Sequence, residues 1–63
     1  MEKRQWLKDK RINAKLTQRQ ISEFCGISES YYSLIENGIR NVPVKTAKKI
    51  AKILNFDWTE FYK

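Results

Sequence analysis

The sequence predicts a compact all-α fold of five short helices, and three observations predict it. The run TQRQISEFCGISESYYSLIENG, Thr17 to Gly38, carries helix-starting residues, an internal glycine and a closing Asn-Gly, the pattern of a helix-turn-helix. The stretch from Val44 to Leu54 puts Val44, Ala47, Ile50, Ala51 and Leu54 on one helical face and Lys45, Lys48, Lys49 and Lys52 on the other. Strand-like alternation of apolar and polar residues is absent.

Each element has its own signals. The first helix, Glu2 to Asn13, is heavily charged, with a narrow apolar stripe of Trp6 and Leu7 followed by Ile12. Thr17 is an N-cap for the second: its hydroxyl suits a free backbone N–H of the first turn, and Gln20 completes a capping box. Leu16 before the cap and Ile21 after it match a hydrophobic staple. This helix ends at Cys25, and Gly26 takes the left-handed turn that only glycine adopts without strain. Ile27 plugs the turn. Ser28 caps the third helix, which runs to Asn37, and Glu29 complements its positive end. Tyr32 and Ile35 form the buried stripe of that helix. Asn37-Gly38 also suits a hairpin, but its helical flanks favour a helix stop.

After a short loop, Pro43 suits the first turn of the fourth helix. Asn55 is a left-handed stop, and Asp57 caps a fifth helix carrying Trp58, Phe61 and Tyr62. Cys25 reads as a small buried hydrophobe.

Composition narrows the function. A chain of 63 residues is read as one domain, 1–63, with the motif at 17–38. At this size only about 60% of the unfolded surface is buried, which leaves no volume for an enclosed active site. Thirteen Lys and Arg against seven Asp and Glu give +6, and the pI near 9.7 suits a polyanionic partner. With one cysteine and no histidine, an intrachain disulfide, a four-ligand zinc set and a Ser-His or Cys-His nucleophile pair are all excluded. The expectation is a protein that is not an enzyme, with no metal, no cofactor and no small-molecule ligand. No apolar run reaches the roughly 18 residues of a membrane span. MEKRQWLKDKR lacks the apolar stretch of a signal peptide, so the expected location is cytoplasmic.

The residues Leu16-Thr17-Gln18, Gly26-Ile27-Ser28, Ile35-Glu36-Asn37-Gly38, Pro43 and TAKKIAKILNFDW resemble the Cro/C1-type helix-turn-helix domain, also called the XRE family, of phage repressors and small bacterial regulators. The resemblance spans about residues 6 to 62. It implies a lambda-repressor-like domain whose third helix enters the major groove of double-stranded DNA. By matching position, Gln18 resembles a glutamine that binds phosphate and braces the third helix. Asn37 and the backbone after it resemble a phosphate-contacting turn. Arg11 and Glu36 resemble an ion pair that locks the first helix to the third.

Base contacts are expected from Ser28, Glu29, Ser30, Ser33 and Leu34. Glu29 suits a cytosine amino group, but it equally suits the role of helix-dipole stabiliser. Leu34 suits a thymine methyl. This face carries no Arg, Lys, Asn or Gln between Ser28 and Leu34, so DNA shape, bridging water or the Arg40 loop is expected to add selectivity. Phosphate contacts are expected from Thr17, Gln18, Tyr31, Asn37 and Arg40, with Lys10 and Lys45 as flanking candidates. Trp58, Phe61, Tyr62 and Phe24 are candidates for a dimer interface; core packing explains Phe61 and is the alternative for the other three.

The expected function is a homodimeric, sequence-specific transcriptional regulator, a repressor, on a two-fold symmetric operator with half-sites roughly 34 Å apart. The alternative is a protein-interaction module, such as an antitoxin or regulator-docking domain, with weak DNA binding.

Overall fold

A computed structural model describes residues 3–63 as four α-helices, α1 Gln5–Asn13, α2 Gln18–Cys25, α3 Glu29–Glu36 and α4 Val44–Leu54, followed by a 3-10 helix, Trp58–Tyr62. The expected fifth helix is therefore a tight 3-10 segment. Its Asp57 cap accepts from the Thr59 N–H at 3.0 Å, and 3-10 geometry is at home in such short pieces. The expected helix start at Glu2 lies outside the described residues. Lys3 and Arg4 are not helical, and α1 begins at Gln5. No strand occurs among the described residues.

Local chemistry sets each boundary. Thr17 Oγ1 accepts from the Gln20 N–H at 3.1 Å, and Gln20 Oε1 accepts from the Thr17 N–H at 2.9 Å, which fixes the entry to α2. Gly26 closes the helix in the left-handed region, φ 69°, and Asn55 closes α4 in the same way at φ 58°. Space for a methyl group exists at Gly26, with nothing within 4 Å. Gly26→Ala is therefore expected to cost only the backbone strain, about 1–2 kcal/mol, with Gly26→Asn cheaper, as read by urea denaturation.

The core joins Leu7 of α1, Ile21 and Cys25 of α2, Tyr32 and Ile35 of α3, and Ala47 and Ile50 of α4. Burial pushes the Cys25 thiol pKa up, which keeps it protonated. Phe61 and Phe56 close the core against Trp6, whose ring lies edge-on at 5.2 and 5.4 Å from theirs.

Two apolar residues depart from expectation. Ile12 is exposed: the stripe of α1 is narrow, and Leu7 and half-buried Trp6 fill it. Val44 is also exposed, while Val42 in the preceding loop is buried and joins the core in its place. Pro43 is the N-cap rather than a first-turn residue, so Val44 begins the helix. Phe61, at 8% exposure, belongs to the core.

Candidate nucleic-acid interface

Two helix starts and one helix end assemble the site. The turn at Gly26 sets α2 against α3. The Ser28 hydroxyl caps α3 by accepting from the Tyr31 N–H at 3.0 Å. That bond takes one of the two lone pairs of the oxygen and leaves the hydroxyl proton and the second lone pair for other partners. Glu29 and Ser30 are exposed on the first turn, with Ser33 and Leu34 half-buried behind them. These four residues and Gln18 line one open groove of about 400 Å3. Four of the five expected base contacts therefore share a surface with the first residue of α2.

Behind that groove lies a buried polar lock. Arg11 Nε donates to Glu36 Oε2 at 2.9 Å and Nη2 donates to Oε1 at 3.0 Å, a bidentate pair at side-chain exposures of 11% and 4%. Arg11 Nη1 also donates to the Leu16 carbonyl at 2.8 Å, and Gln18 Nε2 reaches Glu36 Oε1 at 3.4 Å. Burial pushes the Glu36 carboxyl up, but the bonds from Arg11 and Gln18, with the Tyr32 hydroxyl, outweigh it and leave the pKa below the usual value. The hydrogen bond to Glu36 raises the Arg11 guanidinium. The Tyr32 hydroxyl is buried beside this pair without a hydrogen bond of good geometry, and burial drives its pKa upward. The lock ties α1, the entry to α2 and the end of α3 into one rigid platform.

Of the other expected contacts, Asn37 lines a second concavity together with Gln18, Arg11 and Glu36, and the rest scatter. Asn37 ends α3 and its amide donates to Ser33 Oγ at 3.4 Å. Thr17 and Arg40 are exposed and Tyr31 is half-buried. Lys10 places its ammonium over the Phe56 ring, 5.4 Å from the centroid, and lines neither this groove nor the cavity behind it. Lys45 is exposed on α4, also away from both concavities.

The aromatic candidates divide. Phe61 is removed from any interface by its place in the core. Trp58 is half-buried under the Lys48 ammonium at 5.2 Å. Tyr62 is half-exposed, with its hydroxyl donating to the Val42 carbonyl, and Phe24 is 66% exposed on α2.

Arg4 escaped the sequence reading. Its N–H donates to the Glu36 carbonyl at 2.9 Å, and its Nη1 to the carbonyls of Ile35 at 2.6 Å and Arg40 at 3.1 Å. Its guanidinium also lies 5.7 Å from the Phe61 ring centroid. One side chain thus clamps the end of α3, the Arg40 loop and the C-terminal segment. One arginine in a basic string carries no signal for such a role.

Among the described residues, no cluster of three or more His, Cys, Asp or Glu is placed to hold a metal ion. Among the described residues, no helix is long and apolar enough to cross a membrane.

A helix-turn-helix family model matches residues 7–61. An uncharacterized HTH-type transcriptional regulator of Bacillus subtilis (strain 168), YqaF, is 42% identical over 59 residues, which cover 94% of this chain and 78% of that protein.

Proposed function

The chain belongs to the Cro/C1-type helix-turn-helix family of DNA-binding transcription regulators, and from that premise we propose that it is a sequence-specific repressor acting as a homodimer on a two-fold symmetric operator. Residues 1–63 act in this reading as a single domain in the cytoplasm, with the start of α3 in the major groove and no cofactor. The observation that carries it is the shared groove of Gln18, Glu29, Ser30, Ser33 and Leu34 on a chain of charge +6. A groove that joins a helix N-terminus to polar side chains supports both kinds of contact that specific binding needs, phosphates to hold and base edges to select. The similarity to a protein named as an HTH-type transcriptional regulator supports the regulatory role.

Selection of bound duplexes from a random DNA library at near-physiological salt tests the proposal. A two-fold symmetric enriched site is the expected result. Binding without any preferred sequence, with affinity set by salt alone, would overturn it. A protein-docking role is the second reading, favoured by Phe24, which is large, apolar and 66% exposed.

A further inference from the structure

A second concavity of about 190 Å3 lies behind the groove, and Gln18 lines both. It is lined by the Arg11–Glu36 pair, and its other charged lining comes from Lys3 and Arg4, which precede α1, and from Lys8 within it. The lining therefore holds four cations against one carboxylate, a local excess of three positive charges. Glu36 is already matched by Arg11. Arg4 spends its hydrogen bonds on neutral carbonyl oxygens, which leaves its charge unbalanced. Lys3 and Lys8 are exposed and have no ion-pair partner among the described residues.

Like charges converging on a concave surface repel one another, and an anion seated among them removes that cost. The donors outnumber the acceptors, which suits a ligand that only accepts and spreads its charge over several oxygens. A phosphate group has that chemistry. We propose that this cavity is a phosphate-binding site and that, with DNA along α3, its occupant is a backbone phosphate held by Lys3 and Lys8. This rests on the DNA-binding reading above and extends it: the flanking phosphate contacts come from Lys3 and Lys8 rather than from Lys10 and Lys45.

The test uses Lys3→Gln, Lys8→Gln and the double variant, with Lys52→Gln as a control that removes the same charge from α4 outside the cavity. Affinity for a labelled random-sequence duplex is measured across salt concentration. Each single cavity variant is expected to bind more weakly at low salt, and the double variant about three- to tenfold more weakly, with the slope of log K against log salt lowered by about 0.9, the value for one lost phosphate contact. Lys52→Gln keeps the wild-type slope. Cavity variants that match Lys52→Gln would overturn the proposal.

A second arm titrates the 15N-labelled protein with inorganic phosphate. Amide shifts at Lys3 to Lys8, Gln18 and Asn37 that vanish in the double variant support a phosphate site. Such shifts with an unchanged DNA slope would identify free phosphate as the ligand and overturn the DNA assignment. If the wild type binds no duplex at any salt, the DNA-binding reading fails, and the phosphate titration alone decides the cavity.

Discussion

Arg11→Ala is expected to destabilise the fold by about 3–5 kcal/mol, the cost of leaving a buried carboxylate without its partner. The argument rests on geometry. Both hydrogen bonds between Arg11 and Glu36 are near 3 Å, and the Glu36 side chain is only 4% exposed. The Gln18 contact at 3.4 Å is too long to replace them. A domain of 63 residues has roughly 3–9 kcal/mol of stability in all, so this one substitution takes the chain to the edge of unfolding. Glu36→Ala is expected to cost a similar amount, for it strands the guanidinium. Arg11→Met with Glu36→Met, which removes both charges and keeps the volume, is expected to cost much less than the sum. The double-mutant cycle built from Arg11→Met, Glu36→Met and the two together, read by urea denaturation, should give a coupling above about 1 kcal/mol. Additive losses would refute the lock.

The same pair gives the fold a pH dependence. The folded pKa of Glu36 lies below the ordinary carboxylate value, so its ionised form is the one that folding favours. Its contribution is fully present above that ordinary value, about 4.3, and is lost as pH falls through the depressed folded value. Stability should hold down to about pH 5 and then decline, and Glu36→Gln should flatten the decline.

Glu29→Gln is expected to redirect base preference rather than abolish binding. Glu29 is exposed on the first turn of α3, lines the groove and has no ion-pair partner among the described residues. A carboxylate there accepts from a cytosine amino group, whereas a glutamine amide pairs with adenine. Preference at one base pair should move from cytosine toward adenine, with a loss of about 1–3 kcal/mol on the original site. Non-specific affinity should rise, because a negative charge leaves a surface that meets a polyanion. Folding stability should fall by only about 0.3–1 kcal/mol, the share of a first-turn acid in the helix dipole. The same enriched site from wild type and variant would reduce Glu29 to that dipole role.

What was legible in the sequence was local. The Thr17–Gln20 box, the Gly26 turn, the Ser28 and Asp57 caps and the Asn55 stop each depend on a few adjacent residues, and each has the expected geometry. The placing of Glu29, Ser30, Ser33 and Leu34 in one groove follows from helical spacing. The rest depends on residues far apart in the chain. Arg4 meets Ile35 and Arg40 across more than thirty residues, and no spacing rule announces that contact. The Arg11–Glu36 pairing came from resemblance, not from pattern. Lys15 turns the chain between α1 and α2 in a left-handed conformation, φ 60°, with no glycine or asparagine to mark it. Val42 and Val44 are both apolar and two apart, and only the packing of the bundle decides which is buried.

In the proposed binding mode, DNA lies along the groove of α3 and the start of α2. Mapping backbone amide shifts of the 15N-labelled protein on a selected duplex tests this most directly. The largest shifts are expected at Gln18, at Ser28 to Leu34 and at Asn37 to Arg40, with little change at Phe24. Shifts centred on Phe24 or on the C-terminal aromatic residues, with the α3 groove unmoved, would contradict it.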